Sequence, residues 1–463
     1  MKRNMLVFWI TVIVGPFFVS LPARASYALV DCAGITQGAF TSINEALTYL
    51  DSTSPDDPNW NWIEVKGTCS ENVRVYDHYK LGIVATLGET VTIVSPTPSA
   101  PALGFYNSRN IYLYGLVLTG GSNGLEASNS QITAEKLTAD HNFSSGISVS
   151  DQTLLRLTSA ELRNNNWTGL STNSLSVVEV FPSGPEGGLR VTNNAGPGLW
   201  IYDSWFGANG SITIENNGGP AADTAGSLIT IGSGTGPNVV RDNKAGILVQ
   251  GIGNFTFWGQ AVVQNNGPFG FRVFNGARLH FISIPSADGS LTSVTVEGHT
   301  DVGIEVSDRG QAYLGGVHII RNNGSGNSTA GIHVIGTSQL TMEQGNQITG
   351  NLGAGVFADV NSSIDLSDIT ISGNAGPGVL VLHQSVAELG SGMHTGGNVG
   401  GGLACDFRSL VISDLFRPSR GCQSIETPGW RGRTHDAPKL PTMPAQTVPN
   451  DLYQQLRKRA MQR

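Results

Sequence analysis

Short runs of alternating apolar and polar residues recur along most of the chain. Ile147 and Val149 alternate with Ser148 and Ser150, Ile304 and Val306 with Glu305 and Ser307, and Ile332 and Val334 with His333 and Ile335. A period of two marks strands with one face buried and one face exposed. Each run follows a glycine, and these glycines form a column: Gly124, Gly146, Gly169, Gly198, Gly226, Gly246, Gly270, Gly303, Gly331, Gly355, Gly378 and Gly402. Their spacing runs from 20 to 33 residues and mostly stays near the lower end. Four residues earlier stands a second column: Asn142, Asn165, Asn194, Asn266, Asn327, Asn351, Asn374 and Asn398, with Gly120, Ala222, Asp242 and His299 as departures. Asn tolerates the left-handed backbone of a tight corner, and stacked Asn side chains can bond from coil to coil. No single run can bury its apolar side alone. Stacked repeats of this length share one core, which predicts an all-β solenoid of about 12–14 coils over residues 61–422.

The ends break the pattern. Phe40, Ile43, Ala46, Leu47 and Leu50 fall at helical spacing, so a cap helix is expected near residues 40–50, inside an N-terminal cap spanning 26–60. Residues 1–25 read as a secretory signal: Lys2 and Arg3, an apolar run from Met5 to Val19, then Ala23-Arg24-Ala25 before Ser26. No later stretch is apolar enough to span a bilayer, so the mature chain is expected to be secreted, either extracellular or periplasmic. Losing Lys2, Arg3 and Arg24 takes the formal charge from −8 to −11. That balance disfavours nucleic acid as a partner. The four cysteines form an early and a late pair, giving expected disulfides Cys32–Cys69 and Cys405–Cys422 and agreeing with export. Residues 423–463 read as a Pro-rich, largely disordered tail with a basic excess.

The repeat Asn327-Ser-Thr-Ala-Gly331-Ile332-His333-Val334, the opening Phe40-Thr41-Ser42-Ile43-Asn44-Glu45-Ala46-Leu47 and the first coil Ile63-Glu64-Val65-Lys66-Gly67-Thr68 resemble the pectate-lyase-like superfamily. The resemblance covers about residues 35–420. It implies a single right-handed parallel β-helix built of PbH1-type repeats. It leaves activity open, because members include lyases, hydrolases, esterases, epimerases and surface proteins without a known reaction.

Chemistry is then sought on outward strand positions. Arg272, Glu305, His333 and Asp359 come from four consecutive coils, with Phe274 and Phe357 on the same face and Trp200 and Tyr202 further along it. Aromatic faces pack against sugar rings while charges meet hydroxyls and carboxylates, so this face predicts polysaccharide or cell-envelope glycan binding by a monomer. Arg272, Asp301, Glu305 and His333 are the expected catalytic residues. Trp200, Tyr202, Phe274, Phe357 and Asp359 are the expected ligand-binding ones.

Two reactions are considered for this face. Thr300-Asp301 matches one fragment of the polygalacturonase-like pattern, but the next coils carry Thr329-Ala330 and Gly353-Ala354 in its place. A lyase would use Arg272 as base, with Glu305 and Asp359 as Ca2+ ligands. No cofactor is otherwise implied. His280, His318, His383 and His394 read as structural or surface residues. The opposing expectation is a non-catalytic scaffold or adhesion solenoid.

Overall fold

The computed structural model describes residues 26–53, 60–182, 188–232, 236–286, 289–324, 329–413 and 423–424. The expected signal segment, Asn327, Cys422 and the expected tail from residue 425 onward lie outside the described residues, while Gln423–Ser424 pairs as a short strand with Leu410–Ser413. The chain forms the expected single right-handed parallel β-helix of about 14 turns with one N-terminal helix.

Each coil lays down three strands. The first face is a sheet of 14 strands, from Val73–Tyr76 to Leu403–Cys405. The other two faces belong to one 29-stranded sheet. Strands Gln131–Asp140 and Leu154–Arg163 join these faces by bending from one to the other, at Lys136 and Ser159, whose φ angles are 51° and 60°. Strands pair in parallel from coil to coil. On the first face the inward row runs in register through Leu125, Ile147, Leu170, Leu199, Ala222, Ile247, Phe271, Ile304, Ile332, Val356 and Val379, all buried. Each larger member of such a row contributes roughly 1.5–3 kcal/mol. Midway along, Phe255, Phe257, Phe271 and Phe281 pack edge to face with centroids 5.1–6.1 Å apart.

The corner leading into the first face carries the Asn ladder. Its rungs are Asn142, Asn165, Asn194, Asn217, Asn243, Asn266, His299, Asn323, Asn351, Asn374 and Asn398. The side chain of one Asn donates to the Oδ1 of the next at 2.8–3.1 Å.

This corrects the expected phase in three coils. Asn217 and Ala221 take the corner assigned to Ala222 and Gly226; Gly226 instead sits in the following turn at φ 62°. Asn243 is the rung beside Asp242. Asn323 is the rung in the coil where Asn327 was expected, eight places before Gly331 where four were expected. The rungs themselves are not left-handed either. The residue before each rung takes that conformation, as Asn164, Asn193 and Asn265 do at 53–57°. The column glycines are required by close approach: a Cβ on Gly331 would lie 2.6 Å from Asn351 Nδ2.

The helix Ile43–Thr53 turns Ile43, Ala46, Leu47 and Leu50 onto the end of the core, as its spacing predicts. Strand Tyr27–Asp31 pairs with Asn61–Lys66, so the second face begins before the helix. Cys32 and Cys69 form a disulfide. Cys405 is also disulfide-bonded, while its expected partner Cys422 lies outside the described residues.

Candidate functional site

Strand alternation places the candidate side chains. In Phe269–Phe274, Phe271 and Val273 point inward, which turns Arg272 and Phe274 outward. Register then stacks Arg272, Glu305, His333 and Phe357 on consecutive strands of the first face. The row expected from sequence is therefore physically continuous. Arg272 Nη2 donates to Glu305 Oε2 at 3.0 Å, and its guanidinium lies 4.5 Å from the Phe269 ring centroid. His333 stacks on Phe357, with centroids 4.6 Å apart and planes 9° from parallel.

Asp301, Val302, Glu305, Thr329, Ala330, His333 and Ile335 line a polar pocket of about 370 Å3. Asp301 comes from the corner ahead of strand Val302–Val306, and Glu305 from the strand itself. Burial lowers the His333 pKa, against the opposing pull of Glu305, Asp359 and Asp301, so its imidazole is neutral near pH 7. Two buried polar atoms here, Arg272 Nε and His333 Nε2, have no hydrogen-bond partner. A neutral imidazole with an unused nitrogen can accept or donate a proton. A guanidinium offers donors and no acceptor, which suits an anion better than proton abstraction.

Asp359 is drawn elsewhere. Its Oδ1 lies 2.5 Å from Nδ1 of His383, and this hydrogen bond raises the pKa of the exposed imidazole. Asp359 is thus paired with His383, while Glu305 is held by Arg272. Among the described residues, three or more possible metal donors converge at Cys32, Cys69 and Glu71, whose sulfurs are consumed by the disulfide.

Trp200 and Tyr202 lie three strands before Arg272, roughly 14 Å at the usual strand spacing. Their rings stack at 4.3 Å, and Trp167 joins Trp200 at 5.2 Å. Between them and Arg272 are Gln250, an outward position legible in the sequence, and Asp223, which the sequence reading missed. The Tyr202 hydroxyl donates to Asp223 at 3.2 Å, and Gln250 Nε2 donates to the same carboxylate at 3.0 Å. Burial raises the Asp223 pKa despite these bonds. The signal that would have found Asp223 is the corner Asn217, four residues before Ala221. Phe274 is half-buried in the neighbouring outward row, beside Gln250 in register.

No family model matches the sequence, and no curated protein matches it. Among solved structures, the chain is similar to the A-module of the Azotobacter vinelandii mannuronan C-5 epimerase AlgE4, with 15% identity, 78% of this chain and 91% of that chain covered, and a TM-score of 0.32. The AlgE6 A-module from the same organism gives 12% identity, 74% and 91% coverage and a TM-score of 0.30. A mannuronic-acid-specific polysaccharide family 6 lyase from human gut microbiota gives 10%, 74%, 86% and 0.29. Likenesses this distant say nothing about substrate or reaction. No helix among the described residues is long and apolar enough to cross a membrane.

Proposed function

We propose that the first face binds and processes an acidic polysaccharide, with Trp200, Tyr202 and Phe357 meeting sugar faces and the Asp301–Glu305–His333 pocket as the reacting centre. The observation that carries this reading is the convergence in one pocket of two carboxylates and a neutral imidazole, with Arg272 alongside. Arg272 supplies the cation for a uronate carboxylate. His333, rather than the expected Arg272, has the neutral imidazole of a base able to take the proton next to that carboxylate. The same reading places the chain outside the cytoplasm, supported by the Cys32–Cys69 disulfide.

The test is a panel of acidic and neutral polysaccharides, followed for binding and for new unsaturated and reducing ends. Arg272→Ala and Glu305→Ala are expected to weaken binding about tenfold or more, the scale of losing a charge-assisted bond. His333→Ala is expected to abolish turnover while binding persists. Unchanged binding in both charge variants would remove this face as the site.

A second reading, a non-catalytic scaffold, has its own support. Cross-strand Arg–Glu pairs like Arg272–Glu305 recur on the other faces, as Arg156–Glu179 at 2.8 Å, Glu215 with Arg190 and Arg241, and Arg321–Glu297 at 2.6 Å. Such pairs stabilise a sheet without any ligand. Under that reading no polysaccharide is turned over and His333→Ala changes nothing measurable.

A further inference from the structure

One ladder rung is an imidazole, and it stands in the corner that feeds the pocket. At ordinary rungs, Oδ1 accepts the backbone N–H of the preceding rung and Nδ2 donates to a carbonyl, as Asn266 Nδ2 does to Val240 at 3.0 Å. His299 reproduces both contacts. Its Nδ1 lies 3.2 Å from the Asn266 backbone nitrogen, and its Nε2 lies 3.2 Å from the carbonyl oxygen of Val263. Val263 precedes Asn266 by three residues, as Val240 precedes Asn243. The double match selects the neutral tautomer with its proton on Nε2. The residue is 1% exposed, and a Cβ on Gly270 would come within 2.7 Å of Nε2.

From this rung the chain enters the pocket directly. Thr300 donates its backbone N–H to Gly267 at 2.8 Å, and Asp301 and Val302 donate theirs to Pro268 at 3.1 and 2.9 Å. Strand Val302–Val306 then presents Glu305. The His299 carbonyl accepts from Gly324 at 2.9 Å, and its N–H donates to Asn323 Oδ1 at 3.2 Å.

We propose that His299 is a positioning residue for the Asp301–Glu305 side of the pocket, that it serves only as a neutral imidazole, and that acid therefore loosens this corner. The inference takes the pocket described above as the functional site. A proton added to Nδ1 deprives the Asn266 N–H of its acceptor and leaves only the Asn266 carbonyl oxygen, 3.0 Å away, as a partner for the new hydrogen. The groups facing the ring are uncharged: Val263 from the preceding coil, Asn266 and Asn323 from the adjoining corners, and Gly270 from the first face. The charged neighbour is Glu297 on its own strand, already held by Arg321 at 2.6 Å. Burial is the largest effect on the ring and lowers its pKa.

The direction follows from linkage. An opened corner exposes the imidazole, which takes a proton in the ordinary His range, while the closed corner does not. Acid therefore favours opening, by at most about tenfold per pH unit below that range. Amide hydrogen exchange on the full chain, corrected for intrinsic rates, tests this at about pH 7.5 and about pH 5.5. In the parent, protection over residues 300–306 is expected to fall several-fold at the lower pH. His299→Asn restores an amide rung, so it should match the parent at the higher pH and lose the acid response. His318→Asn, which alters a different corner, should keep it.

An acid response retained in His299→Asn, or absent from the parent, overturns the proposal. So does lower protection of His299→Asn at both pH values, because the rung would then need the imidazole for shape alone. No glycan enters the measurement, so this inference and the proposed function fail independently.

Discussion

His318 shows how a single side chain can write a pH dependence into a solenoid. It lies in the corner between the second and third faces, where its Nδ1 accepts the Val294 N–H at 3.2 Å and its Nε2 faces the Gly315 carbonyl at 3.2 Å. The next coil places Asn346 in the same role. Burial pushes the His318 pKa down to about 4. The folded value lies below the unfolded one, so the contribution is complete above the ordinary His range and is lost as pH falls toward the folded value. The limit is about 3 kcal/mol. Thermal melts from neutral to acid pH should show a shallower loss in His318→Asn than in the parent. Residue identities of this kind were only partly legible. The Arg272–Glu305–His333–Phe357 row followed from a period of two and a column of glycines. Asp223 was lost because Ala221 stands where a glycine was expected, and Gly226 offered a false phase. The Asp359–His383 pair joins a strand to a turn of the next coil, a contact that no fixed offset reveals.

At the scale of elements, the helix Ile43–Thr53 is the one departure from strands among the described residues, and its start depends on a distant carboxylate. Glu71 accepts from the backbone N–H groups of Ile43 and Asn44 at 2.7 and 3.1 Å, and from the Ser42 hydroxyl and the Asn44 side chain at 2.8 and 2.7 Å. It satisfies orphan donors at the positive end of the helix dipole. Glu71→Ala should destabilise the cap by about 1–2 kcal/mol, read as earlier loss of exchange protection over residues 43–53. The helix itself was legible from apolar spacing, and its four inward residues are the expected ones. Its anchor was not, because Glu71 lies beyond strand Thr68–Ser70 and nothing local links it to Ser42. The strands that follow the column glycines were legible in kind, and in phase except in three coils: where Ala221 replaces a glycine, where Asn243 stands three places before Gly246, and where Asn323 stands eight before Gly331.

For the whole molecule, the core is one continuous column, and each coil pairs its strands with those of the coils beside it, so the ends decide where unravelling begins. The N-terminal end is closed by the helix and by the Cys32–Cys69 disulfide, whose partners are 37 residues apart. Replacing both cysteines by Ser should cost roughly 2–5 kcal/mol at that end, seen as proteolysis within residues 27–66 under conditions the parent survives. The ladder has one more consequence. Because Asn142 and Asn165 are equivalent rungs, a whole turn can be removed between them with both corners preserved. Excising residues 143–165 joins Asn142 to Asn166 and leaves Gly169 four places after the surviving rung. The shortened protein should fold with the same circular dichroism signature. Excising one residue fewer leaves five places between that rung and Gly169, within the range set by the eight places from Asn323 to Gly331, so that protein should also fold, with the cost confined to the junction and read as a lower melting temperature. The polypeptide is in effect a ruler graduated in turns, with asparagine marking the divisions.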